Sequence, residues 1–163
     1  MAQDSRNQMQ EERKRRRAVE WRTLFRVLGV DVDVAQNADV IMPVAGGTGL
    51  GTAAGAQQSA GKYSVIWVDQ DGCVSAQQYC SVFLSTVVKN ISDAVRDAVL
   101  ATAAGSLQGG GGSTGTLKNN GVQLAPFHDM DSKVPADLKS ELDQLKQDII
   151  SGKVQVTSPA QPK

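Results

Sequence analysis

Asp39-Val40-Ile41-Met42-Pro43-Val44 is a short apolar run that passes directly into the glycine turn Gly46-Gly47-Thr48-Gly49-Leu50-Gly51. The run reads as a buried strand. The small, Ala-rich residues that follow, to about Ala60, suit a closely packed helix. Tyr63-Ser64-Val65-Ile66-Trp67-Val68 reads as a second buried strand, which ends at Asp69-Gln70-Asp71-Gly72. Strand, glycine turn, helix and strand within about 30 residues make a βαβ unit. Its strands are expected to be parallel and its crossover right-handed. This order points to an α/β class.

Later segments extend the pattern. Val82 to Val88 reads as another strand, ending at Lys89. Ile91, Val95 and Val99 recur at helical spacing and predict a helix from about Ser92 to Ala104, closed by Gly105. Thr114–Leu117 and Val122–Leu124 flank Asn119-Asn120-Gly121, which is a hairpin signal. A last helix opens near Val134-Pro135 and carries the stripe Val134, Leu138, Leu142, Leu145 and Ile149. Lys139 and Asp143 are spaced to pair on it. Gly152 ends that helix, Val154–Val156 has the texture of a final strand, and the tail looks disordered.

The N-terminal text differs. Its basic run, Arg13 to Arg17, is flanked by Glu11, Glu12 and Glu20, and no DNA-binding motif surrounds it. A solvated helix face or a disordered leader is the simpler reading. Trp21, Leu24, Phe25 and Leu28 have helical spacing, and Val30, Val32 and Val34 form a weak edge-strand pattern. No stretch reaches the ~18 apolar residues of a membrane span, and no signal peptide is visible. As written, the chain is expected in the cytoplasm. At 163 residues it can bury roughly 70% of its unfolded surface as one domain. Seventeen basic residues balance seventeen acidic ones, which excludes a globally basic nucleic-acid binder. Aromatic residues are scarce, so the core must rest on Val, Leu, Ile and Ala.

Chemistry is expected at strand ends. In open parallel sheets, ligands bind outside the carboxyl ends of the strands. Three groups fall there: the Gly46–Gly51 turn, Asp69 with Asp71, and Lys89. A glycine turn opens backbone N–H groups to a ligand, a carboxylate accepts from two sugar hydroxyls, and a lysine donates to a hydroxyl or an anion. The set lacks a nucleophile with a base, so it suits binding and not turnover. His128 has no Cys or Ser partner at a motif spacing. Cys73 and Cys80 fit no common zinc spacing; they read as two ordinary small side chains, or as a disulfide if the chain is exported. No catalytic residue, metal or cofactor is expected. Gly49, Gly51 and Ala54 also match a loose dinucleotide-binding pattern with Asp69 downstream, which leaves a Rossmann-like nucleotide-binding enzyme as an alternative.

The segments ADVIMPVAGGTGLG (38–51), VIWVDQDG (65–72), STVVKNISDAV (85–95), GTLKNNGVQLAPFHDMDSKVPADLK (115–139) and LDQLKQDIISGKV (142–154) stand in one order. In that order the chain resembles the C-terminal part of the BMP family. These basic-membrane-protein lipoproteins include purine nucleoside receptors of ABC importers. The resemblance covers residues 38–156 and implies a type I periplasmic-binding-protein fold, with this chain as its C-terminal, Rossmann-like lobe. Residues 1–37 fall outside it as a basic leader, and 157–163 as a tail. The resemblance implies a nucleoside-like ligand, with ribose contacts at Gly46, Gly47, Asp69 and Lys89. It also implies ABC permease partners and an extracytoplasmic site, on a lipid anchor that this chain does not carry. Phe127, His128 and Asp129 are expected to be structural, near an interlobe hinge. A sugar- or nucleoside-sensing regulator of the same fold is the other alternative.

Overall fold

The structure, a computed structural model, describes Val34, residues 37–110 and residues 112–157. The expected basic leader, the Trp21–Leu28 helix and the tail beyond Thr157 lie outside the described residues. So does the edge strand expected over Val30–Val34, except for Val34 itself, which is helical.

Strand β1 (Val40–Ile41) is shorter than its apolar run because Pro43 has no N–H to give a ladder. A 3-10 turn (Gly46–Gly49) leads into helix α1 (Leu50–Gln58), then strand β2 (Ser64–Asp69). Short helix α2 (Gly72–Ser75) and a 3-10 turn (Gln77–Val82) lead to strand β3 (Phe83–Lys89). Helix α3 (Ile91–Ala103), strand β4 (Val122–Leu124), a 3-10 turn (His128–Lys133) and helix α4 (Ala136–Ile150) complete the order. The sheet runs β1-β2-β3-β4. β1, β2 and β3 are parallel, with Ile41 opposite Val65 and Trp67 opposite Thr86.

Side-chain size explains the packing. Thr52, Ala53, Ala54 and Ala56 are all buried, so α1 lies close on the sheet. Ala53, Ala56, Tyr63, Val65, Trp67, Val82 and Phe83 form one cluster, with the Trp67 and Phe83 rings 5.3 Å apart between centroids. The Tyr63 hydroxyl, buried with its ring, donates to the Thr52 carbonyl at 3.1 Å.

Three local expectations change. Val122–Leu124 pairs with β3, antiparallel, through Lys89 opposite Val122, and not with Thr114–Leu117 in a hairpin. Asn119 Oδ1 instead accepts from the Thr116 and Gly121 N–H groups and folds residues 116–121 into a closed turn. Val154–Val156 is not a strand. Lys139 pairs with Asp131 at 2.7 Å, not with Asp143, because the 3-10 turn places Asp131 beside the first turn of α4. Helix α3 forms as expected, and its apolar stripe lies outside the core: Ile91, Val95 and Val99 are 57–60% exposed. Among the described residues no element covers it. None is a helix long and apolar enough to cross a membrane.

Candidate functional site

The three parallel strands bring their carboxyl ends to one edge of the sheet. Beyond β1 stand Gly46 and Gly47, both exposed, with open space where a side chain would begin. Gly46 has φ +55, a left-handed conformation that favours glycine. Gly49, at the end of the same turn, is pinned: a Cβ there would meet the Trp67 ring at 3.1 Å and Pro43 at 3.4 Å. The turn is thus anchored at one end and open at the other.

Asp69 closes β2 and Lys89 closes β3. Lys89 Nζ lies 2.7 Å from Asp69 Oδ1, and both side chains are about half exposed. Asp69 adopts φ +71, which is uncommon for a residue with a side chain. That conformation costs roughly 1 kcal/mol, and an exposed ion pair returns only about 0.2–1 kcal/mol. The arrangement therefore does little for stability. It holds a carboxylate and an ammonium together over a cleft of about 330 Å³, also lined by Asp71, Val88, Asn90 and Ser92. Gly46 and Gly47 share the sheet edge but do not line this cleft. Asn90 is fixed from the far side, its N–H donating to the Gly121 carbonyl at 2.9 Å and its side-chain amide to the Asn120 carbonyl.

Asp71 belongs to a second cluster. Its Oδ1 accepts from the Cys73 N–H at 3.0 Å and caps α2, while Oδ2 lies 2.8 Å from His128 Nε2. Gly72 between them donates to the buried Thr86 hydroxyl at 3.0 Å, and a Cβ on it would collide with the Phe83 ring. Cys73 and Cys80 are joined as a disulfide, so of the two readings open from the sequence the structure takes the second. His128 stands at φ +44 in the turn before α4. Its partnership with Asp71, 57 positions away, has no signal in sequence spacing; only the fold brings the two together. Phe127 in the same turn lies under the Lys139 ammonium, 5.9 Å from the ring centre.

The sheet order and the strand-end cleft define an α/β lobe of the periplasmic-binding-protein class. Three solved structures share the fold. A transcriptional activator of the comK gene from Bacillus halodurans aligns with TM-score 0.66 and 16% identity, over 82% of this chain and 44% of its own. An ABC transporter solute-binding protein from Aeropyrum pernix K1 aligns with TM-score 0.65 and 20% identity, over 78% of this chain and 42% of its own. One from Conexibacter woesei DSM 14684 aligns with TM-score 0.55 and 21% identity, over 76% and 39%. The chain thus spans less than half the length of each. The sequence pattern of the Bmp family, the PnrA-like ABC transporter substrate-binding proteins, matches residues 33–159, and the chain belongs to that family. No curated protein matches the sequence.

Proposed function

We propose that this chain is the C-terminal lobe of a solute-binding protein that delivers a purine-nucleoside-like ligand to an ABC importer. Residues 38–156 form that lobe, 1–37 a leader and 157–163 a tail. The observation that carries the reading is the Asp69–Lys89 pair at adjacent strand ends. A carboxylate accepts from both hydroxyls of a ribose, and the neighbouring ammonium donates to a ring or hydroxyl oxygen. Gly46 and Gly47 add backbone N–H donors from the open half of their turn.

Two further features support it. The exposed stripe of α3 is the kind of surface a second lobe covers, and the aligned structures are more than twice the length of the segment they share with this chain. The Cys73–Cys80 disulfide fits an oxidising, extracytoplasmic compartment. The function is capture and hand-over, with no bond made or broken in the ligand.

The test is calorimetry on the full chain with a purine nucleoside, ribose and a dinucleotide. If half of a nanomolar cleft's ~12 kcal/mol remains, the nucleoside binds with a dissociation constant of tens of micromolar. Binding of the dinucleotide alone would transfer the chain to the nucleotide-enzyme reading. Asp69→Ala and Lys89→Ala should each remove nucleoside binding.

A further inference from the structure

We infer that Asp71, Cys73, Cys80 and His128 form a four-donor site for a zinc-type divalent cation that opens only when the Cys73–Cys80 disulfide is reduced. The inference does not rest on the nucleoside reading. A carboxylate oxygen of Asp71, Cys73 Sγ and a ring nitrogen of His128 lie within 4.8 Å of one another, and Cys80 Sγ is bonded to Cys73 Sγ. Two thiolates, an imidazole and a carboxylate are a donor set that zinc takes in tetrahedral geometry.

The donors of Asp71, Cys73 and His128, within 4.8 Å of one another, must close to tetrahedral spacing, and the Cys80 sulfur must swing in beside them. At ordinary zinc–ligand lengths, tetrahedral donors stand roughly 3.2–3.8 Å apart. His128 Nε2 and Asp71 Oδ2 at 2.8 Å must therefore open by about half an ångström. Once freed, the two sulfurs separate to their places around the ion. All four residues sit at turns and short helices outside the strands, and their frame is held by the Gly72 N–H bond to Thr86. Asp71 already divides its oxygens: Oδ1 is held by the Cys73 N–H, and Oδ2 points to His128. This is the second-contact arrangement that orients a metal-binding carboxylate. His128 presents Nε2 to the Asp71 carboxylate from a left-handed backbone position.

The chemistry balances in two steps. A dithiol reductant gives two electrons and two protons to the disulfide, leaving two protein thiols and an oxidised cyclic disulfide. The cation then binds both sulfurs and releases the two thiol protons. In the oxidised chain the sulfurs are bonded to each other and are poor ligands. The disulfide and the ion are alternative closures of the loop from Cys73 to Cys80.

The test uses the full chain and cobalt(II). One sample is kept oxidised; the other is reduced with a dithiol and desalted without oxygen. The expected result is one cobalt per reduced chain, with the intense visible bands of tetrahedral coordination and a thiolate-to-cobalt charge-transfer band, all displaced by zinc. The oxidised chain should show none of these. His128→Ala should weaken cobalt binding at least tenfold, and Cys80→Ser should remove the charge-transfer intensity from one thiolate. X-ray absorption on the zinc-loaded wild-type chain should give two sulfur and two nitrogen or oxygen neighbours, a readout that needs no variant to fold. A reduced chain that takes up no cobalt, folded or not, overturns the inference. So do octahedral bands, a sulfur count other than two, or unchanged affinity in His128→Ala.

Discussion

Lys89 Nζ stands 2.7 Å from Asp69 Oδ1, and the two residues end neighbouring parallel strands. Asp69 sits at φ +71, so the backbone spends energy to bring its carboxylate there. A half-exposed ion pair does not offset that cost by a useful margin. The pair is a weak structural brace, and the proposed function gives it a role as a ligand contact.

Stability and binding should therefore separate at this position. Asp69→Gly relieves the left-handed backbone while losing the ion pair, and its unfolding free energy in urea should stay within about 1 kcal/mol of the parent. Asp69→Val places a β-branched residue at the same φ and should lose about 2 kcal/mol. Both should lose the calorimetric response to a nucleoside. A Gly variant that unfolds far earlier than the parent would make Asp69 a structural residue.

Glycines at the strand ends should differ in kind. A Cβ on Gly72 would meet the Phe83 ring at 2.7 Å, and Phe83 is among the most buried side chains. Gly72→Ala should lose about 1–3 kcal/mol by overpacking. Gly46→Ala meets no atom and should lose only the left-handed penalty of about 1–2 kcal/mol. Paired urea titrations measure both losses; a Gly72→Ala loss well below about 1 kcal/mol would mean that the Phe83 ring moves aside at little cost.

Much of the framework was legible in the residues, for physical reasons. Parallel strands buried on both faces carry continuous apolar text, so β2 and β3 stood out, and their last residues, Asp69 and Lys89, stood out with them. The small residues of α1 announced close packing. Long-range pairings were not legible. Nothing local says that Val122–Leu124 joins β3 antiparallel, or that His128 meets Asp71. The turn at 116–121 looked like a hairpin because Asn-Asn-Gly favours one, but Asn119 bonds spend themselves within the turn. The periodicity of α3 told which residues share a face, but not what covers that face.

That face should tolerate charge. Val95 and Val99 are 57% and 60% exposed, so less than half of either residue is covered, and a lysine stem at Val95→Lys or Val99→Lys can keep much of that cover. Each should change stability by no more than about 0.5 kcal/mol in chemical unfolding. The double variant should also lower any self-association seen by sedimentation, because it breaks the apolar stripe. A loss of several kcal/mol would show that α3 is packed against part of this same chain in solution.

The C-terminal end of α4 should respond to acid in a particular direction. Lys153 donates to Asp148 Oδ2 at 2.7 Å and Gln144 to Oδ1 at 2.8 Å. The Lys153 hydrogen bond, then that of Gln144, holds the Asp148 carboxyl below its ordinary value of 3.8. A carboxyl depressed in the folded state stabilises fully above its unfolded value, and that contribution is lost as the pH falls through the lower, folded value. The last turn should therefore be unaffected between neutral pH and pH 5, and should loosen only in strong acid. The Val154 N–H, which donates to the Asp148 carbonyl at 3.0 Å, is the reporter, read by its amide chemical shift through an acid titration. Lys153→Ala should move the transition upward, toward the ordinary carboxyl value. A transition that stays in place in this variant would assign the depression to Gln144 alone.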